Sequence, residues 1–417
     1  MTPHFRNSSS RRRSALRQRD VALVWTAGLL GWIGNHALFV VLPFVVFEST
    51  SSPSATAITV LGGAVPPVLV GPLAGVLADR WDRRRVLLGA NVVLAVLTLG
   101  YLVIDPGTWG WLAGLTFLRS CVGQLVGPAE HALLPELVSA DRLGEVAALN
   151  ALNNTVARLV GPAVGGVLLA TTGLAGSVVL VVVCHTGAAA TVAALRYHRS
   201  VEAKPSSAGL QRQWREGAVL AWHEPVLRAL IPLVALMGLG EGFVSALLVP
   251  FNRELLEASA DDLGWILSAQ AVGGTAGAWW YTRAADRRDP FRVLAVAALV
   301  AGALLAVVFS YPLVEPVLWP AVALTAIAGA PFAVVAAAQG LILQRHVTPM
   351  ARGRVFGLFW ALASLMQIVG IILAGLLAEW VGSVVILIDA VVYLLAGVLG
   401  LVAAARLRQT DDDELES

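Results

Sequence analysis

Apolar residues run along this chain in long blocks that short polar segments interrupt. A helix needs about 20 apolar residues to cross the hydrocarbon core of a bilayer, which is about 30 Å thick. Blocks of this length predict an all-α integral membrane protein with twelve transmembrane helices. We place the spans at residues 20–47, 55–78, 86–105, 109–130, 143–170, 174–197, 226–250, 262–284, 291–311, 316–343, 353–379 and 383–406.

The composition agrees with this pattern. Of the 417 residues, 57% are hydrophobic and 13% are charged, whereas soluble domains carry about 25% charged residues. The net charge of +2 is in itself uninformative. We expect a lipid bilayer and no nucleic acid as partner. Cys121 and Cys184 fall in predicted spans, where we expect small buried side chains and no disulfide.

The placement of positive charge predicts the orientation in the membrane. Of the 29 Lys and Arg residues, Arg119 and Arg158 lie well inside spans and Arg253 lies near an outer loop. The others lie in the N-terminal tail, in or beside the even-numbered loops, or near the C-terminus. Because cytoplasmic loops carry the excess of Lys and Arg, both termini are predicted to be cytoplasmic. We expect the basic tail, residues 1–19, to be disordered and to remain uncleaved.

The second half of the chain repeats the first. Residues 79–87 align with 286–294, including Asp79 with Asp286 and Asp82 with Asp289, and residues 144–169 align with 353–378. In the second alignment three glycine pairs coincide: Gly144 with Gly353, Gly161 with Gly370, and Gly166 with Gly375. "GNHALFVVLP" (34–43) also resembles "GEGFVSALLVP" (240–250), with one residue inserted.

The repeat predicts two pseudo-symmetric six-helix bundles, at residues 20–197 and 225–408. A cytoplasmic connector, residues 198–224, joins them and contains a predicted amphipathic surface helix, and residues 409–417 form an acidic tail. Parallel repeats of this kind are typical of transporters that rock around a central site.

Five segments, in order along the chain, resemble motifs of the major facilitator superfamily, and within it the bacterial branch of macrolide-type exporters and the enterobactin exporter. They are "GVLADRWDRRR" (75–85), "LTFLRSCVG" (115–123), "GPAEHALLPELV" (127–138), "ARLVGPAVGG" (157–166) and "RGRVFGL" (352–358). Three positions depart from the family pattern: Asp82, Val122 and Ala157. The resemblance covers about residues 15–408 and implies a multi-pass protein of the bacterial cytoplasmic membrane.

The charged loop at 75–85 is the predicted gate. Asp79, at the end of the second span, could meet the positive end of the eleventh helix and Arg352 or Arg354 there, and Gly75 would let the two backbones approach closely. The resemblance supports this latch role for Asp79 and Arg80. Arg84 and Asp286 complete the predicted latch set, although arginines also collect on any cytoplasmic loop.

Ionisable residues within spans are candidates for proton coupling because charge is costly there. Glu241 lies near the centre of the seventh span, where a carboxyl group can exchange a proton as the access of water changes. His36 is a second candidate, although a hydrogen-bonded core histidine explains it equally well. Arg119 matches the fourth-helix arginine that the family ties to proton transfer. Many relatives have an acid where this chain has Asn35, which shifts the proton-carrying role towards Glu241.

Gly161, Pro162, Gly165 and Gly166 match the fifth-helix motif that the family associates with antiporters. A packing kink is the alternative interpretation. The functional interpretation is that this face packs against the eighth helix and seals the outer half of the protein. This motif favours export over uptake.

We expect a central cavity that binds substrate and contains few charges. Its candidate lining residues are Asn35, His36, Asn150, Asn154, Arg158, Gln270, Gln339, Trp360 and Gln367.

These features predict a proton-coupled secondary exporter of amphiphilic drug-like or antibiotic small molecules that works by alternating access, as a monomer. The sole lysine, Lys204, lies outside any Walker A loop, which excludes a built-in ATPase. We expect no enzymatic activity, no cofactor and no metal site. The alternatives are a dedicated exporter or flippase of a siderophore, natural product or lysophospholipid, and a transport-dead membrane receptor.

Overall fold

The computed structural model describes residues 16, 18–71, 74, 81–105, 107–139, 142–196, 218–285, 288–348 and 351–416, and these are helical almost throughout. The first half contains α1 (Arg19–Thr50), α2 (Pro53–Ala64), α3 (Arg83–Leu99) and α4 (Trp109–Gly123), followed by the long helical stretch Leu143–Ala193. Gly173, with φ 69° and ψ −167°, breaks that stretch into α5 (143–172) and α6 (174–193). The second half contains α7 (Pro225–Leu256), α8 (Ala260–Ala284), α9 (Pro290–Ser310), α10 (Leu318–His346), α11 (Arg352–Val381) and α12 (Leu387–Glu416).

Helix lengths and hydropathy agree with a membrane protein. In the described residues, eight helical segments are long and apolar enough to cross a bilayer. One of them, Gly144–Ala193, contains both α5 and α6. Two predicted spans are shorter or broken: α2 is followed by the short helix Pro66–Leu69, and α4 by Val126–Leu133. The all-α prediction is confirmed, and the count of twelve spans stays a prediction.

Side-chain caps explain where two of the equivalent helices begin. Asp82 Oδ1 accepts a hydrogen bond of 2.8 Å from the backbone N–H of Arg85 at the start of α3. Asp289 Oδ1 accepts one of 3.0 Å from the N–H of Phe291 at the start of α9. An N-cap acid satisfies a backbone donor that the helix leaves free. The shared acid at this position of the repeated loop therefore has a structural cause, and it does not argue for a gate.

The helices pack as two equivalent sets. Within the first half, α1 packs along the α5–α6 stretch and α2 packs on α4; within the second half, α7 packs on α11 and α12, and α8 packs on α10. The halves meet through α5 with α8, and through α11 with α2. In each contact the fifth helix of one half packs on the second helix of the other half. The two contacts are therefore related by a pseudo-twofold axis.

The aligned glycines occupy equivalent contacts. A Cβ atom on Gly166 of α5 would overlap the backbone of Ala260 on α8, and one on Gly375 of α11 would lie 2.9 Å from the Cβ of Ala57 on α2. Gly161 and Gly370 lie in the same way against α1 and α7, the first helix of each half. The sequence repeat is therefore a structural repeat, and small residues set the distance between helices at these crossings.

The helix bundle has two ends. The loop-1 end is where α1 finishes at Thr50 and α7 finishes at Leu256; the connector end is where α1 begins at Arg19 and α6 finishes at Ala193. The predicted orientation places the loop-1 end outside the cell and the connector end in the cytoplasm. Most of the predicted connector, and all but three residues of the predicted N-terminal tail, lie outside the described residues.

Candidate functional site: a cavity between the two halves

A cavity of about 530 Å³ occupies the middle of the bundle, where its wall on α1 runs from Pro43 on the loop-1 side to Val24 near the connector end. Most of its wall comes from α1, α2, α3 and α4, and the second half contributes Ser245, Ser364 and Gln367. Trp32, Phe39, Leu42 and Leu94 are among its many apolar lining residues. Its volume falls in the range of small-molecule sites, and its wall is mainly apolar with a few polar groups, as such sites require.

Arg119 lies on the cavity wall and anchors a polar network in the first half. It is 9% exposed. Its Nε donates to Thr98 Oγ1 over 3.1 Å, and its Nη2 donates to Asn35 Oδ1 over 3.0 Å and to His185 Nε2 over 2.9 Å. These three partners belong to three different helices. Thr98 and Asn35 carry no charge, and His185 is neutral when its Nε2 accepts a hydrogen bond. The network therefore holds a buried positive charge at the cavity without a carboxylate beside it in the described residues.

The network fixes the protonation of His185. A guanidinium group only donates hydrogen bonds, so His185 Nε2 must be the acceptor. The imidazole proton then sits on Nδ1, which donates to Asn91 Oδ1 over 3.0 Å, and Asn91 Nδ2 donates to the carbonyl of Leu87 over 2.8 Å. In this series of hydrogen bonds, from Arg119 through His185 and Asn91 to Leu87, every donor faces an acceptor. The series therefore fixes the orientation of Arg119.

Glu241 occupies the position in the second half that Asn35 occupies in the first. Both lie at the middle of their helices, and both follow a glycine that packs on the last helix of its own half: Gly34 on α6 and Gly240 on α12. The Glu241 side chain is solvent-accessible at this depth. It lies one helical turn from Ser245, which lines the cavity, so it is directed to the same side of α7.

Arg158 connects the two halves electrostatically. It is exposed on α5 and lies within range of charge interaction with Glu241 on α7 and with His36 on α1. His36 is half-buried, and its Nδ1 donates to the carbonyl of Trp32 over 2.9 Å, which leaves Nε2 as the atom available for proton exchange. A base, a cation and an acid from three helices are therefore placed at one level of the bundle.

The other predicted lining residues are distributed along the same inner surface. Asn35 and Gln367 line the cavity, and Gln367 Nε2 donates to Ser245 Oγ over 3.2 Å. Trp360 is 71% exposed and shares a helix face with Ser364 and Gln367, nearer the connector end. Asn150, Asn154, Gln270 and Gln339 are half-buried and are not part of the cavity wall described here. Their role in substrate contact stays a prediction.

The fifth-helix motif packs on both sides. Gly161 and Gly165 lie against Ile33, His36 and Ala37 of α1, while Gly166 lies against Ala260 of α8. In return, Gly264 of α8 lies against Pro162 and Ala163. Ser268 Oγ donates to the carbonyl of Leu159 over 2.6 Å at the same crossing. The motif therefore packs on α1 on one side and on α8 on the other, and its role in sealing the outer half stays a prediction.

Polar contacts that the sequence did not suggest join the halves at the loop-1 end. Arg253 Nη2 lies 2.8 Å from Glu48 Oε2, and its guanidinium lies 5.4 Å from the ring centre of Phe44. Ser54 Oγ donates to the carbonyl of Gly375 over 2.9 Å, and Ser52 Oγ donates to Glu379 Oε1 over 3.2 Å. The only indication in the sequence was that Arg253 is the one basic residue predicted near an outer loop.

The predicted latch is only partly described. Gly75, Asp79, Arg80 and Asp286 lie outside the described residues. Arg84 binds within its own half: its Nε and Nη2 donate to the carbonyls of Val192 and Ala193 over 3.2 and 2.6 Å and so cap α6. Its part in the latch stays a prediction.

The eleventh-helix arginines begin that helix as expected. Arg352 donates to the carbonyls of Val347 and Gln344 over 3.3 and 3.1 Å, so it also binds within its own half. Arg354 is exposed in the first turn of α11. Their contact with Asp79 stays a prediction.

Glu130, on the helix Val126–Leu133, is a cavity residue that sequence reasoning missed. It is 6% exposed and lines the cavity near its connector end. Because the predicted fourth span ends at Glu130, this residue did not stand out as an intramembrane acid. The signal that could have found it is Gly28 on α1, where any Cβ atom would overlap the Glu130 carboxylate.

Comparison with known proteins agrees with this geometry. The profile of the transmembrane secretion effector family matches residues 11–417. The chain is 29% identical to the multidrug efflux pump Tap of Mycolicibacterium fortuitum, over 95% of this chain and 98% of that protein. It is 25% identical to macrolide efflux protein A of Streptococcus pyogenes, over 86% of this chain and 89% of that protein.

Solved structures show the same fold. A bacterial homologue of the iron transporter ferroportin, in its inward-facing state, superimposes with a TM-score of 0.74, covering 94% of this chain and 99% of that one at 15% identity. The match of the family profile along nearly the whole chain, together with the paired helical halves, shows that this multi-pass membrane protein belongs to the transmembrane secretion effector family of the major facilitator superfamily.

Proposed function

We propose that this protein is a secondary exporter of amphiphilic drug-like or antibiotic small molecules, driven by proton antiport. It acts as a monomer in the bacterial cytoplasmic membrane with both termini in the cytoplasm. Relatives named as multidrug and macrolide efflux proteins support the substrate class. The largely apolar cavity favours broad recognition over a dedicated substrate, because a dedicated site needs several fixed polar contacts.

The observation that carries this proposal is the asymmetry between the two ends of the bundle. The Glu48–Arg253 pair and the α5–α8 and α2–α11 crossings join the halves at the loop-1 end, while the cavity reaches towards the connector end. With the orientation predicted by the loop charges, we infer a state that is closed towards the outside and whose cavity extends towards the cytoplasm. In our proposal the halves 20–197 and 225–408 rock about the cavity, and residues 198–224 join them.

Proton coupling in this proposal rests on Glu241. Its side chain is exposed at mid-depth of α7, within range of the charge of Arg158, which also acts on His36. When Glu241 is ionised, Arg158 on the opposite half attracts it; when it is protonated, that attraction disappears. Protonation thus changes an interaction between the halves. Arg119 keeps a fixed charge on the cavity wall, and its proton-transfer role rests on the family resemblance.

Drug accumulation in cells tests the proposal. Cells that express the protein should accumulate less of an amphiphilic compound such as ethidium than control cells that lack it. An uncoupler that dissipates the proton gradient should abolish this difference. A panel of chemically unrelated amphiphiles should include several that respond. If accumulation of no compound changes, the export proposal is wrong; if export survives the uncoupler unchanged, the coupling to protons is wrong.

A further inference from the structure

The carboxylate of Glu130 is buried on the cavity wall without a protein partner. Its side chain lies against the backbone of Gly28, at a point where no other residue type would leave it room. Among the described residues it forms no hydrogen bond and no ion pair. Burial of an unpaired acid disfavours its charged form, and a positive group that enters the cavity would supply the partner that stabilises that form.

The hydrogen bonds and ion pairs of the neighbouring polar groups go to other residues, and Arg83 Nε and the Oδ1 atoms of Asn150 and Asn153 have no partner among the described residues. Arg83, the basic residue that packs beside this helix, forms an ion pair with Glu136 and donates to the carbonyl of Ala132 over 3.3 Å. Asn153 Nδ2 donates to the carbonyl of Trp25 over 3.0 Å, and His131 faces Asn150 at 3.4 Å. None of these described groups neutralises Glu130.

The two ionisable groups Arg119 and Glu130 on the cavity wall therefore differ in their hydrogen bonding. Arg119 donates three hydrogen bonds to other side chains, whereas Glu130 forms none with the described residues. They lie eleven residues apart along one nearly continuous helix, which corresponds to about 16 Å at 1.5 Å per residue. Between them the wall is mainly apolar, with Leu94 and Trp32 among its residues. A cation that enters the cavity meets an acid without a partner among the described residues at one end, and apolar surface beyond it.

We propose that Glu130 binds the positive group of a lipophilic monocation, whose apolar body fills the cavity between Glu130 and Arg119. This assignment rests on the proposed export function and defines its substrate class: singly charged amphiphilic cations bind more tightly than neutral amphiphiles of the same size. A single unpaired acid suits one positive charge, and the positive Arg119 at the far end opposes a second one.

The test is binding to the purified protein in detergent, followed by the tryptophan fluorescence to which Trp32 contributes. Tetraphenylphosphonium is the cationic probe, and triphenylphosphine oxide is the neutral probe of similar shape. Glu130→Gln should weaken tetraphenylphosphonium binding about tenfold or more, and leave binding of the neutral probe within about twofold. Glu130→Asp should retain part of the preference for the cation. Glu315→Gln, which removes an exposed loop acid, is the matched control and should change neither affinity.

Two results would overturn the assignment: unchanged cation binding in Glu130→Gln, or equal weakening of both probes, which would make Glu130 a structural residue. Failure of the Glu130 site can be distinguished from failure of the proposed export function. If the wild-type protein exports nothing yet its cation binding depends on Glu130, export fails and the site stands. If export is uncoupler-sensitive and Glu130→Gln binds the cation normally, the site fails and export stands.

Discussion

The guanidinium of Arg119 on α4 donates a hydrogen bond of 2.9 Å to Nε2 of His185 on α6, which makes His185 a neutral acceptor. The same guanidinium also reaches α1 and α3 through Asn35 and Thr98. One side chain thus ties four helices of the first half together around the cavity. This arrangement depends on the planar fork of arginine as well as on its charge.

Arg119→Lys should therefore lose most transport although it keeps the positive charge. An ammonium group cannot reach three acceptors on three helices in the same fixed geometry, and each lost hydrogen bond to a charged group costs about 1.5–3 kcal/mol. Transport rate and thermal unfolding of the purified variant measure the two effects. Arg345→Lys, at an exposed position, is the control. Full transport by Arg119→Lys would show that only the charge matters.

Gly166→Ala and Gly375→Ala should each slow transport several-fold. The added methyl group would meet the Ala260 backbone in the first case and the Ala57 side chain in the second, so the halves could not close at the loop-1 end. Gly144 and Gly353 form the matched control pair: they are equivalent in the repeat, and a Cβ atom on either meets nothing within 4 Å.

The measurement is transport by all four variants at equal expression. Normal rates for Gly166→Ala and Gly375→Ala would contradict the closing role of these crossings. A loss in Gly144→Ala or Gly353→Ala would point to a general loss of stability in the helices.

Removing the Glu48–Arg253 ion pair should shift the protein towards a state that is open at the loop-1 end. The pair is partly exposed, with side-chain exposures of 53% and 29%, so the expected effect is modest, about 0.2–1 kcal/mol or up to about fivefold in the ratio of states. Spin labels at the exposed positions Ser49 and Glu257, in a background without Cys121 and Cys184, report the distance between the two halves.

Glu48→Gln should increase the population at longer distance, and the charge swap Glu48→Arg with Arg253→Glu should reverse part of the change. A distance distribution that does not respond to Glu48→Gln would mean that the pair contributes nothing to closure. Glu315→Gln is again a suitable control because it removes an exposed acid from another loop.

The sequence predicted the helices, the repeat and the positions of its glycines because these depend on local hydropathy and on residue size. It also identified Arg119 and Asn35, which the structure brings into one hydrogen-bonded network at the cavity. Gly34 and Gly240 show why the repeat was informative: the residues that follow them, Asn35 and Glu241, are equivalent in space as well as in sequence.

The roles that sequence could not assign depend on contacts between distant segments. Arg84 caps α6, a contact that arises because the chain brings the end of that helix beside α3. Glu130 was overlooked because its burial arises from its approach to Gly28 on another helix. Glu48 and Arg253 are 205 residues apart, so their pairing needs the packing of the two halves.

Proton flux coupled to substrate movement tests the central claim most directly. Wild-type protein and Glu241→Gln would be reconstituted into vesicles with an imposed pH gradient, and uptake of ethidium and the internal pH would be followed together. We predict that the wild type accumulates ethidium only while the gradient lasts and dissipates the gradient faster when ethidium is present, and that Glu241→Gln still binds ethidium but does neither. Gradient-driven accumulation by Glu241→Gln at the wild-type rate would contradict the role assigned to this carboxyl group, and accumulation by the wild type without a gradient would contradict proton-coupled export itself.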